Sequence, residues 1–255
     1  MNIATDNNVL LEYVLRLADN GLILAQRLIE LVAHGPELEE ELANANFSLD
    51  YLGQARLFYS YAGELEGKGR VEDDFAFMRS DREFCNVQLV EQPNGHFGDT
   101  VARSFFFDTF YQLQLEVLTN CSDAHLAGIA VRAVREIQYH QRHNSQWMIR
   151  LGDGTDESHR RLQESVDSLW RYTGELFAGD SIDDQFREAF DGPDLSALLP
   201  RWREIVESVF SEATLYVPDD QWMIEGGRDG RHSEHFGSLI AEMQTMQRSY
   251  PGQQW

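Results

Sequence analysis

The chain has 255 residues, 42% of them hydrophobic and 25% charged, which supplies enough apolar side chain for one large core. Acidic residues number 43 against 21 basic ones, giving a formal net charge of −22. A surface of that sign repels phosphate backbones and anionic headgroups, so nucleic-acid and membrane binding are not expected; solubility or a basic protein partner accounts for the acid.

Lys68 is the only lysine, so the positive charge is almost all arginine. Cys85 and Cys121 form neither a disulfide framework nor a zinc-ligand spacing, which suits a reducing cytoplasm. The N-terminal stretch MNIATDNNVLLEY lacks the basic and apolar regions of a signal peptide. No charge-free apolar run approaches the ~20 residues of a membrane helix. A cytoplasmic location follows.

Helical periodicity runs from end to end. Leu11, Leu15, Ala18, Leu22, Ala25, Ile29 and Val32 recur at steps of three and four until Gly35-Pro36 breaks the pattern. A second helix opens with Pro36 in its first turn and Glu37, Glu39, Glu40 and Glu41 at the positive end of its dipole. Its expected seam is Leu38, Leu42, Ala45, Leu49, Leu52, Ala55, Phe58 and Ala62. Residues 66–100 are the least regular, with a short helix around 81–90 and a turn at EQPNG. A third long helix spans about 98–119 with Val101, Phe105, Phe106, Phe110, Leu113 and Val117. A fourth spans about 123–151 with the stripe Leu126, Ala130, Ala133, Ile137, His140, Asn144, Trp147 and Leu151. Shorter helices follow: one after LGDGTD, one near 182–190, one over about 194–215, and one over His235–Ser249. Four long helices with a long central connection predict an all-α, ferritin-like four-helix bundle with additional C-terminal helices, as one domain over 1–255.

Such a bundle raises the question of two irons. Their usual ligands are a Glu from each of two helices and a Glu-x-x-His pair from each of the other two. None of the eight histidines has a glutamate three residues before it. Asp156-x-x-His159 and Asp229-x-x-His232 come nearest, and both sit where aspartate is favoured as a helix cap. His140 lies on the apolar stripe and is expected inside, hydrogen-bonded to an acid, with Asp108 in SFFFDTF as the expected partner. Asp108 and His140 together read as a polar plug in the core. The chain has no G-x-S-x-G, P-loop or dinucleotide fingerprint. GGRDGRHSEHFG reads as a helix-entry loop.

The strings LVEQPNG (89–95), RLGDGTDESHRR (150–161), LWRYTGELF (169–177) and GGRDGRHSEHFGSLIAEMQTMQRSYPG (226–252) resemble the structural-subunit family of the bacterial phenylacetate-degradation oxygenases, over nearly the whole chain. That resemblance implies a ferritin-like structural subunit of a ring 1,2-phenylacetyl-CoA epoxidase. It also implies partners: a homologous catalytic subunit with the di-iron centre, a small subunit, and a reductase subunit carrying FAD and iron–sulfur. No cofactor is implied for this chain. Set beside the catalytic partner, one ligand pair falls on Ile137 and His140 and the other on Tyr51 and Gln54, while Asp108 matches an acid ligand. These positions read as vestigial, with no catalytic, metal or cofactor-binding residue. A homodimer is a further option, and the competing reading is an oxidase with its own atypical metal site.

Overall fold

Two long helices open the chain, α1 (Ile3–Ile29) and α2 (Leu38–Glu66). The computed structural model describes residues 3–219 and 222–253. After α2 come a short α3 (Glu72–Phe77) and single 3-10 turns at Asp81–Glu83 and Gln88–Glu91. The next long pair is α4 (Phe97–Leu118) and α5 (Ala124–Gly152). The C-terminal part holds α6 (Asp156–Trp170), α7 (Gly174–Phe177), α8 (Ser181–Phe190), α9 (Leu195–Glu212) and α10 (Phe236–Ser249). No strand occurs among the described residues.

α1 packs along α2, α4 packs along α5, and the pairs meet where α2 faces α5. α6 and α9 cover α4 and α5, α8 lies on α1, and α10 lies on α3. α1 is buried almost all round, with Val14, Ala18, Ile23 and Leu24 fully enclosed. The phenylalanines of α4 are core: Phe106 packs against Trp170, Trp202 and Phe210, and the Trp202 indole N–H donates to the Phe106 carbonyl at 3.1 Å.

Three expectations need correction. No α-helix spans 81–90; two 3-10 turns stand there, and the α-helix in this stretch is α3. Pro36 lies outside α2, which begins at Leu38. The seam of α2 holds only for its second half. Ala55, Phe58 and Ala62 point inward, whereas Leu38, Leu42, Leu49 and Leu52 are 66, 56, 61 and 42% exposed. The inner face is built from Asn44, Phe47, Ser48, Tyr51 and Gln54 instead. α2 carries apolar residues on both faces, so period alone does not decide which face turns in.

Buried acids fasten the irregular segments to the helices. Asp19 on α1 is fully enclosed and is paired with Arg79. It also accepts the Tyr59 hydroxyl at 2.5 Å and the Cys85 N–H at 2.8 Å. Glu91 accepts the Ser233 N–H at 2.6 Å and faces the His232 ring at 3.1 Å. Two arginines hold the EQPNG turn: Arg27 donates twice to the Glu91 carbonyl, and Arg103 donates to the Gln92 carbonyl and the Asn94 side chain. Arg103 is fully buried, and burial followed by the nearby Arg27 charge lowers its pKa to about 9.

Glu175 on α7 is the third such acid. It accepts the N–H groups of Gln88, Gly226 and Gly227 at 2.7, 2.9 and 2.6 Å, tying the connection between the helix pairs to the C-terminal loop. Burial holds its carboxyl above the ordinary range, against those three hydrogen bonds. Gly226 has φ of 121°, and a Cβ on Gly227 would collide with the Asn86 carbonyl oxygen, so both glycines are required for this approach. Glu175→Ala leaves three buried N–H groups unpaired and is expected to cost about 2–4 kcal/mol in urea denaturation. A loss below about 1 kcal/mol contradicts the clamp.

Candidate functional site

The positions that the resemblance sets against iron ligands fall on three helices, and the fold brings them together, with Asn144 beside them. α2 contributes Tyr51 and Gln54, α4 contributes Asp108, and α5 contributes Ile137, His140 and Asn144. Spacings of three and four residues put each helix's set on its inner face. Tyr51, Gln54, Asp108, Ile137 and His140 are all buried.

Asp108 is the centre of the group. Its carboxylate accepts a short hydrogen bond from the Tyr51 hydroxyl and one of 2.8 Å from the Asn144 amide, so α4 is joined to α2 and to α5 through one side chain. Burial raises its pKa to about 6, with the His140 charge and the two hydrogen bonds acting the other way. Burial and the neighbouring Asp108 hold Tyr51 well above its usual range, so it stays a neutral donor.

His140 is fully enclosed, but its acid is Asp50 and not Asp108. The Nε2 atom lies 3.0 Å from an Asp50 carboxylate oxygen, while Phe47 covers the ring at 4.2 Å between centroids. Asp50 is reached because it sits at the edge of the α2–α5 seam, half in solvent, where a carboxylate keeps part of its hydration. The rest of that seam is polar too. His143 faces Glu40 at 3.0 Å, the Gln54 amide donates to Glu136 at 2.9 Å, and the Tyr61 hydroxyl donates to Asp123 at 2.8 Å. Residue numbers descend on α5 as they rise on α2, so the two helices run antiparallel.

The donors present do not fit a di-iron centre. Ile137 has no ligand atom, Tyr51 is a neutral phenol engaged with Asp108, and Gln54 offers only a neutral amide oxygen, its NH2 group being engaged with Glu136. Among the described residues no group of three or more His, Cys, Asp or Glu side chains could hold a metal ion. At the edge of this cluster, the notch between α2 and α5 beside Asp50, Gln54 and Glu136 holds about 50 Å³, far below the ~300 Å³ of a small-molecule site.

The two Asp-x-x-His strings have other roles. Thr155, and not Asp156, caps α6 by accepting the Ser158 N–H, and His159 Nδ1 lies 2.8 Å from the Gly152 carbonyl. Asp229 ends a 3-10 turn, and His232 bridges Glu91 and the Phe84 carbonyl.

The whole chain, residues 1–255, matches the family described as phenylacetic acid catabolic protein. The chain belongs to that family. Among its relatives is the component designated C of the 1,2-phenylacetyl-CoA epoxidase of Escherichia coli (strain K12). That protein is 48% identical over 248 residues, covering 97% of this chain and 100% of its own length. In this member of the phenylacetic acid catabolic protein family, three of the strings that carry the resemblance meet in space. Glu91 of LVEQPNG and Glu175 of LWRYTGELF both hold the loop GGRDGRHSEHFG.

Residues missed by sequence reasoning are Asp19, Asp50, Glu91 and Glu175 as buried or half-buried anchors. Glu91 and Glu175 lay inside unusual strings, which is a signal; Asp50, beside Tyr51 on a polar turn of α2, gave none.

A carboxyl whose folded pKa is about 6, against about 3.9 unfolded, stabilises the fold fully below pH 4, and that contribution is lost as pH rises through 6. Asp108→Asn is therefore expected to flatten the fall in stability between pH 4 and 6, by up to about 3 kcal/mol. Denaturation curves across that range check this, and an unchanged slope contradicts it.

Proposed function

We propose that this chain is the non-catalytic structural subunit of a multicomponent phenylacetyl-CoA epoxidase. In this reading α1, α2, α4 and α5 form a ferritin-like four-helix bundle, with α6–α10 as C-terminal additions. The chain binds and supports a homologous catalytic subunit that holds the di-iron centre, while a small subunit and a flavin and iron–sulfur reductase complete the cytoplasmic system. The epoxidase assignment rests on the likeness to the epoxidase component of the relative, at 48% identity over nearly the whole length.

One observation supports the non-catalytic part. Where the resemblance calls for ligands, Tyr51, Gln54 and Ile137 stand, and Asp108 is taken up by Tyr51 and Asn144. A catalytic di-iron protein carries carboxylate and imidazole side chains at those positions, with ligand atoms facing the metals. Here the same positions link three helices. The chemistry of this chain is then mechanical: a core cross-braced by buried hydrogen bonds presents a stiff surface to its partner, and stiffness lowers the entropy cost of association.

The test is reconstitution. The chain is mixed with the catalytic subunit and reductase, and assembly is followed by size exclusion and turnover by NADPH-dependent consumption of phenylacetyl-CoA. The expected result is a stable complex that turns over, with no turnover from this chain and reductase alone. Turnover without the catalytic subunit, or no complex with it, overturns the proposal. His140→Ala removes a fully buried ring and is expected to lower the thermal midpoint while leaving the turnover of the folded complex within about twofold of wild type. Loss of turnover in a folded His140→Ala complex contradicts a purely supporting role.

A further inference from the structure

A helix that is apolar all round is normally a buried helix. α2 is apolar on two opposite faces. The inner one packs Phe47, Tyr51 and Phe58 into the core. The outer one carries Leu38, Leu42, Leu49 and Leu52, at steps of four, seven and three, which keep them on one side of the helix. Gly53, on the same side, has nothing within 4 Å of where a Cβ would stand. Isolated exposed leucines need no explanation, but a continuous row along a four-turn stretch marks a contact surface.

The row ends in a concavity. Leu52 forms one wall of a cleft of about 430 Å³ between α1, α2 and α3, with Leu22, Ala76 and Phe77 on its other sides. Arg56 and Glu72, paired at 3.0 Å, stand at its rim. An exposed row leading into an apolar cleft with a polar rim is the shape that accepts a partner helix with one large anchoring side chain.

Charge narrows the occupant. Two copies of this chain would bring a net charge of −22 against another −22. A different chain with arginine or lysine beside an apolar row avoids that cost and is matched by Glu37, Glu39 and Glu41, which flank the start of the row. We propose that the outer face of α2 seats an amphipathic helix of the catalytic subunit, with basic residues facing Glu37, Glu39 and Glu41 and an apolar anchor in the cleft beside Leu52. This rests on the epoxidase reading above and adds the surface through which it works.

The test uses the full-length chain with Leu49→Arg, and Met246→Arg at an exposed position of α10 as the control. Affinity for the catalytic subunit is measured by titration calorimetry, and the thermal midpoint and oligomeric state of each free chain are measured alongside. Leu49→Arg is expected to weaken the complex about 100-fold, with its free-chain midpoint unchanged and Met246→Arg binding as wild type. Glu39→Lys with Glu41→Lys is expected to weaken it as well and to reduce its salt dependence. If wild type binds and Leu49→Arg binds equally well, the face is wrong while the epoxidase reading stands. If wild type does not bind the catalytic subunit, both fall. A free wild-type dimer that Leu49→Arg dissociates assigns the face to a second copy and overturns the proposal.

Discussion

A buried carboxylate on one helix, received by a phenol from a second and an amide from a third, fixes the interior of this protein. Asp108 holds α2, α4 and α5 at one point, and its charge is tolerable there only because both oxygens are hydrogen-bonded. The polar α2–α5 seam follows from that joint. Once Tyr51 is drawn to Asp108, its neighbour Asp50 is left at the seam edge within reach of His140, and Gln54, one turn on, meets Glu136. The interior of the long helices is thus held by specific polar contacts between side chains that cannot slide past one another, in addition to apolar packing.

The same device recurs at the periphery. Asp19, Glu91 and Glu175 each gather donors from segments distant in sequence, and each pins an irregular stretch whose backbone N–H groups have no regular helical partner. That accounts for the unusual strings. LVEQPNG, LWRYTGELF and GGRDGRHSEHFG look like motifs of a site, and they are the two sides of a clamp that closes the C-terminal loop over the connection between helix pairs.

Most of the helical architecture was legible from periodicity, because α1, α4 and α5 have runs of inward residues three and four apart. The burial of His140 and Asp108 was legible for the same reason. The pairing between them was not: both lie inside, but which acid reaches the ring depends on where α2 sits against α5, and sequence does not carry that distance. α2 itself was misread along half its length. Its outward leucines imitate a core stripe, while its true inner face includes Asn44, Ser48 and Gln54, which period-based reasoning counts as surface. The absence of Glu-x-x-His was plain in the sequence; what replaced the ligands, a Tyr51–Asp108–Asn144 link, needed three dimensions.

An interior cross-braced where metal ligands would stand is the core of the account, and metal content tests it most directly. The chain is purified from iron-supplemented cells, washed with a chelator, and its iron and manganese are counted per chain by mass spectrometry. The account predicts only traces that the wash removes, in wild type and in Asp108→Asn alike. Near-stoichiometric metal that survives the wash, and is lost in Asp108→Asn, would contradict it.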